Sequence, residues 1–189
     1  MGDVDELRTE RLRLRQPDDG DIEAILIACQ DPDIQRYTLI PVPYTRGDAE
    51  HFVHVLAPDP MSYTWTIRTL DGTFVGVVGM HTRPVGDERV TSIGYWCAAA
   101  LRGRGYLGEA VTAVLDHAFT TLRIDRVRWS ALVGNVYSAR LAASAGFRYT
   151  GLRAETLRDR TDDVHTAVLL AVDPRTPQPW PPEVLGTSR

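Results

Sequence analysis

The sequence predicts a mixed α/β (α+β) fold in the order β-α-α-β-β-β-α-β-α-β-β, and three observations carry that reading. Three strand-like runs follow one another across short turns between residues 63 and 97. A glycine-rich segment at 103–108 then opens the most periodic helix of the chain. Beyond it, apolar runs alternate with a short helical stretch as far as residue 172.

The first strand is read from Leu12 and Leu14, which alternate with Arg11, Arg13 and Arg15 in the period of a half-buried strand. Pro17-Asp18-Asp19 opens a helix with Ile22, Ile25, Leu26 and Cys29 on one face, and Asp31-Pro32 ends it. Thr45 caps a second helix whose Phe52, Val55 and Leu56 form a modest stripe before Pro58. Residues 63–68 and 74–80 make a hairpin across Asp71-Gly72, the dipeptide best suited to a tight turn, and Gly86-Asp87 turns the chain into a third antiparallel strand at 90–97.

Helix 105–122 follows, with Leu107, Val111, Val114, Leu115, Ala118 and Leu122 at three- and four-residue spacing. Residues 127–132 form a strand, 137–145 a helix closed by Gly146, and 147–149 and 164–172 the last strands. Residues 1–172 are read as one domain. The five prolines of 173–189 mark an extended or mobile tail.

With 189 residues, 43% hydrophobic and 24% charged, the chain is long enough for one well-packed core. A net charge of −4 argues against bulk nucleic-acid binding. No apolar run approaches the roughly 20 residues that span a bilayer, so no membrane association and a cytoplasmic location are expected. Cys29 and Cys97 are too few for a disulfide framework or a metal site and are expected to be reduced.

Gly103-Arg104-Gly105-Tyr106-Leu107-Gly108 stands between a strand and a helix, where glycine permits positive φ and unpaired first-turn N–H groups attract an anion. Arg102 and Arg104 add two cations. The segment fits G-x-G-x-x-G and also the glycine spacing of a nucleoside-triphosphate loop. The triphosphate reading fails because Glu109-Ala110 replace the Lys and the Ser or Thr it requires. A dinucleotide loop needs an acidic residue ending the next strand, whereas Asp125 precedes it. A third reading is an acyl-coenzyme A pyrophosphate loop, to which Arg102, Gly105 and the helix start correspond, and a plain glycine-rich turn entering a helix is the alternative.

The element order and this loop, together with Thr9-Glu10-Arg11-Leu12-Arg13-Leu14-Arg15, Asp31-Pro32, Ile93-Gly94-Tyr95-Trp96, Glu109-Ala110, Asn135-Val136-Tyr137-Ser138 and Gly146-Phe147, resemble the RimJ/RimL branch of the GNAT N-acetyltransferases over about residues 7–172. The resemblance implies a mixed, largely antiparallel sheet of about seven strands flanked by about four helices and splayed between the fourth and fifth strands. It also implies direct transfer of an acetyl group from acetyl-CoA (coenzyme A as cosubstrate, no metal) to a primary amine, either a protein N-terminus or a small molecule. Homodimer formation is left open. Leu107 departs from the Gly or Ala usual in the family at that position.

Four roles follow from the resemblance. The pyrophosphate is gripped by the backbone of 103–108, including Gly103, Arg104, Gly105, Tyr106, Leu107 and Gly108, with Arg102. The pantetheine arm pairs with Tyr95, Trp96 and Cys97, and a backbone N–H of that stretch polarises the thioester carbonyl. Asn135 hydrogen-bonds that arm. Many relatives protonate the leaving thiolate with a Tyr where this chain has Ala142, so Ser138 takes that role, with Tyr137 as substitute. A helix-capping hydroxyl is the alternative for Ser138.

The general base is not marked, because Ser92 and Ala98-Ala99-Ala100 stand where relatives carry carboxylates. His81 is the first candidate, Asp163 and His165 are others, and a water chain can serve instead. His51 and His54 lack a third ligand for a metal. Acceptor specificity is placed around residues 39–44 and 156–163. The alternative to an enzyme is a non-catalytic acyl-CoA-binding module that has lost its base.

Overall fold

Backbone pairing joins eight strands into one sheet in a computed structural model that describes residues 4–157 and 160–187. The strands are β1 (Leu7–Arg8), β2 (Leu12–Arg15), β3 (Ser62–Thr69), β4 (Phe74–Val85), β5 (Glu88–Cys97), β6 (Arg126–Leu132), β7 (Arg148–Leu157) and β8 (Arg160–Leu170). Their order is β1-β2-β3-β4-β5-β6-β8-β7, antiparallel throughout except for the parallel pair β5·β6. The helices are α1 (Ile22–Ala28), α2 (Pro32–Tyr37), α3 (Arg46–His51), α4 (Tyr106–Thr120) and α5 (Val136–Ser144).

Two counts differ from expectation. The extra strand is β1, which pairs Leu7 with Leu14. The extra helix is α2, which begins where the first helix was expected to stop. Asp31 accepts hydrogen bonds from the N–H groups of Asp33 and Ile34, and Pro32 occupies the first turn, where its missing N–H costs nothing. The same dipeptide therefore ends one helix and starts the next. Thr45 caps α3 in a reciprocal box with Asp48, and a five-residue π-helical turn, Phe52–Leu56, completes that segment.

Alternation along the strands builds two cores. Leu12, Leu14, Trp65, Ile67, Val78 and Met80 pack with Val111, Val114 and Leu115 of α4 and with the alanines of α5. Ile22, Ile25, Ile34 and Val53 make a second cluster under α1–α3, against Phe74 and Trp96. Asp21, fully buried, accepts from Arg15, Arg68 and Thr66 and so fastens the start of α1 to β2 and β3. Gly72, at φ 90°, closes the Asp71-Gly72 hairpin.

The tail expected as an appendage packs instead. Trp180 is 5% exposed and donates its indole N–H to the Phe147 carbonyl at 2.8 Å. Gln178 N–H bonds the Ala143 carbonyl, and Arg140 bonds that of Leu185. A Cβ on Gly146 would lie 2.9 Å from the Pro174 carbonyl, so this glycine serves both the turn after α5 and the close approach of the tail. The segment 156–163 is the hairpin end of β7 and β8, with Thr156 opposite Thr161; residues 158 and 159 lie outside the described residues.

Candidate active site

The parallel pairing of β5 with β6 runs from Val90↔Arg126 to Ile93↔Trp129 and stops, although β5 continues to Cys97 and β6 to Leu132. Beyond Ile93 the two strands part, which frees the backbone of Tyr95, Trp96 and Cys97 on one side of a fork. This is the splay expected between the fourth and fifth strands, here β5 and β6. A cleft of about 670 Å³ occupies it, bordered by α2, the glycine loop and the start of α5.

Alternation along β5 divides the side chains. Cys97 belongs to the α4 core, with Tyr95 packed against it, while Trp96 packs on Phe74 at 5.9 Å beneath α1–α3. All three border the cleft. Burial pushes the Cys97 thiol up, against a smaller lowering by Arg102, and pushes that of Cys29 up to about 12. Neither cysteine is disulfide-bonded.

The loop has the form its glycines require. Gly103 and Gly105 have φ of 75° and 79°, and Gly105 is the left-handed residue directly before α4. A Cβ on Gly103 or Gly108 would meet nothing within 4 Å, so both positions are open. The first-turn N–H groups of α4 have no intrahelical acceptor, and the helix dipole adds partial positive charge there. Gly103, Gly105, Tyr106, Leu107 and Gly108 border the cleft. These features fit a pyrophosphate.

The two loop arginines behave differently from each other. Arg102 borders the cleft, yet its guanidinium meets Asp31 at 2.6 Å and Asp33 at 3.2 Å and donates to the Cys97 carbonyl. Arg104 is exposed outside the cleft, and its carbonyl accepts from Arg11. Arg11 lies under the loop, its guanidinium 4.8 Å from the Tyr106 ring centre and paired with Glu109 at 2.6 Å. Thr9 also donates to Glu109. The motifs around Thr9 and Glu109 were visible in the sequence; their contact was not.

Asn135, rather than Ser138, caps α5: its side-chain oxygen accepts from the Ser138 N–H at 3.3 Å. The Ser138 hydroxyl faces a polar cluster instead. Trp129 Nε1 donates to Ser138 Oγ and to the Tyr95 hydroxyl, each at 3.1 Å. Ser138 Oγ donates to Tyr95 at 3.3 Å, and Tyr95 donates to the Ser138 carbonyl at 3.1 Å. Tyr137 is 78% exposed at the cleft mouth, with Arg140 beside its ring. Ala142 is fully buried.

The base candidates are dispersed. His81 lies on the exposed side of β4, opposite Ser62 and Ser92 in the sheet, and its Nδ1 bonds Ser62 at 2.9 Å away from the cleft. His165 bonds Tyr149 at 2.9 Å. Asp163 borders a second cavity of about 380 Å³ with Arg36, Tyr37 and Leu132. Tyr37 borders both cavities, and its hydroxyl bonds the Gly134 carbonyl at 3.2 Å. Among the described residues, no group of three His, Cys, Asp or Glu is placed to hold a metal ion.

A family model described as an acetyltransferase (GNAT) domain matches residues 11–148, a span that takes in the fork, the loop and Ser138. The chain belongs to the GNAT acetyltransferase family. Membership makes it an enzyme, an N-acetyltransferase whose donor is acetyl-CoA. It is 25% identical over 173 residues to the uncharacterized N-acetyltransferase YoaA of Bacillus subtilis, covering 89% of this chain and 97% of the relative. A GNAT-family acetyltransferase from Bacillus anthracis shares the fold at a TM-score of 0.77 and 21% identity, over 88% of this chain and 98% of the other. RimL, a ribosomal L7/L12 alpha-N-protein acetyltransferase, matches at a TM-score of 0.76 and 20% identity, over 88% and 94%. No helix among the described residues of this GNAT enzyme is long and apolar enough to cross a membrane.

Proposed function

We propose that this acetyltransferase moves an acetyl group directly from the thioester to a primary amine in the fork between β5 and β6. The observation that carries the reading is the meeting, in one cleft, of the β5 edge that has parted from β6, a left-handed glycine loop opening α4, and Ser138. In this reading the loop N–H groups hold the diphosphate and the strand 95–97 holds the pantetheine arm. With its oxygen used on Ser138 N–H, Asn135 offers its amide N–H groups to that arm. The thioester supplies the activated acetyl group.

Ser138 donates a hydrogen bond to the departing sulfur, and Tyr137 stands beside it at the mouth. The acceptor enters on the side of the smaller cavity, past Tyr37, where Asp162 and Asp163 are the carboxylates suited to draw in an ammonium group. A protein N-terminus and a small amine both satisfy this geometry. RimL acetylates the alpha-amino group of ribosomal L7/L12, which makes peptides with a free N-terminus the first acceptors to try.

The test is steady-state thiol release from acetyl-CoA across a panel of amines and such peptides. Ser138→Ala is expected to lower kcat about 100-fold with little change in KM for acetyl-CoA. An unchanged kcat removes Ser138 from the reaction. No carboxylate stands at Ser92 or at 98–100, so the proton shed by the amine leaves through water rather than through those positions. An acyl-enzyme on Cys97 is disfavoured by a buried thiol whose pKa is raised, and full activity of Cys97→Ala excludes it.

A further inference from the structure

We propose that Trp129 is a positioning residue for acyl transfer, its indole N–H holding the Ser138 hydroxyl in place while that hydroxyl turns its hydrogen from Tyr95 to the departing sulfur. The proposal rests on the role given to Ser138 above. Trp129 is the last β6 residue paired with β5, so its side chain issues from the point where the fork opens. It is 2% exposed, does not border the cleft, and is wedged against Trp180 with ring centres 5.2 Å apart at 62°. The ring is therefore fixed, and so is the direction of its one N–H.

That N–H is shared equally between two oxygens, Ser138 Oγ and the Tyr95 hydroxyl, both at 3.1 Å. Tyr95 is anchored a second time, because its own hydrogen goes to the Ser138 carbonyl at 3.1 Å. Burial raises the Tyr95 pKa to about 12, so the phenol stays neutral and keeps that hydrogen. Of the two hydroxyl hydrogens, that of Ser138 is the more loosely held. Its bond to Tyr95 is 3.3 Å, well beyond the usual O–H···O separation of about 2.7–2.8 Å.

A thiolate forming in the cleft is a stronger, charged acceptor than a phenol, so rotation about the Ser138 Cβ–Oγ bond exchanges the weak partner for the strong one. Through that rotation the indole N–H keeps Oγ from moving. In the step served, the amine nitrogen has bonded to the thioester carbon, the C=O double bond re-forms, and the C–S bond breaks with its electron pair going to sulfur. The sulfur leaves as a thiolate hydrogen-bonded by Ser138 and later takes a proton from water, while the proton shed by the amine passes to water. No proton leaves Ser138, whose hydroxyl is a far weaker acid than a thiol of pKa about 8.5.

The test is a double-mutant cycle on the full chain with acetyl-CoA and an amine that turns over. Trp129→Phe is expected to lower kcat about tenfold, with CoA affinity by calorimetry and KM for acetyl-CoA unchanged. In the Ser138→Ala background the same substitution is expected to cost nothing further. Equal losses in both backgrounds would make the indole a packing group and overturn the proposal, as would full kcat in Trp129→Phe beside a slow Ser138→Ala. A fast Ser138→Ala instead removes the role of Ser138 itself. If Trp129→Phe does not fold, 3-benzothienylalanine placed at position 129 keeps the bicyclic ring and replaces N–H by sulfur. The same tenfold loss is expected from it, and full activity overturns the proposal.

Discussion

Arg102 lies 2.6 Å from Asp31, so the cation that introduces the glycine loop is fastened to the N-terminus of the helix on the opposite wall of the cleft. Asp31 already caps that helix. Burial alone would raise its pKa, but Arg102 and the N–H groups of Ile34 and Asp33 outweigh burial and hold the carboxyl below its ordinary range. Helix α2 brings Ile34 and Tyr37 to the cleft, so the ion pair ties the loop to that wall. Arg102→Gln is expected to cost about 1 kcal/mol of stability, roughly 2–4 °C in Tm, and to weaken CoA binding about tenfold. A lowered Tm with unchanged calorimetric affinity would assign Arg102 to α2 alone.

Acid stability is expected to fall in two steps. His117 is buried and its pKa is lowered by that burial, with Asp5 opposing, so the folded chain binds this proton less readily than the unfolded one. Stability from His117 is complete above the unfolded value of about 6.5 and is lost as pH falls below it. Burial alone would raise the Glu109 pKa, but the Thr9 hydroxyl, the Arg11 N–H and the Arg11 guanidinium hold the carboxyl down. Its contribution persists to about pH 4.5 and disappears as pH falls through the lowered folded value. Urea melts across pH 3–8 should show both steps. His117→Gln should erase the first and Glu109→Gln the second.

Two glycines of the loop are expected to respond with opposite signs. Gly108 sits inside the first turn of α4 with open space where a Cβ would go, so Gly108→Ala should stabilise the free protein by about 1 kcal/mol. Gly108 borders the cleft, so the added methyl should weaken CoA binding. Gly105 is left-handed at φ 79°, with Arg11 Nη2 3.4 Å from a Cβ, so Gly105→Val should destabilise and also abolish measurable binding. Thermal melting with calorimetry separates the two effects. Undiminished affinity in Gly105→Val would refute the loop assignment.

The C-terminal segment is expected to behave as core. Trp180 fills the space between Trp129 and Tyr149, with ring centres 5.2 Å and 5.3 Å away. Trp180→Ala should cost about 3–5 kcal/mol, read from the urea midpoint. Removal of residues 174–189 should do at least as much. A truncated chain with an unchanged midpoint would return the tail to the appendage that its prolines suggest.

Residues that act on near neighbours were legible in the sequence. The Asp71-Gly72 hairpin, the alternation of Leu12 and Leu14, the apolar stripe of α4 and the left-handed glycine before it are set by chemistry within a few residues. Asp31-Pro32 was legible only in part, because the same pair ends one helix and caps another. His81 shows the limit on the sheet. Its strand is apolar toward both layers, and only the packing of α4 on one face decides that His81 points away from it.

The sequence by itself therefore determined the type and order of the elements apart from β1 and α2, and the character of the loop, since propensity, period and capping are local. The tertiary structure alone decided the strand order β6-β8-β7, the point at which β5 and β6 part, the pairing of Arg11 with Glu109 across 98 positions, and the polar cluster of Trp129, Tyr95 and Ser138. Those contacts join residues far apart in the chain. Local pattern carries no record of which distant partner will fill a buried space or satisfy a buried donor, and only the folded packing supplies it.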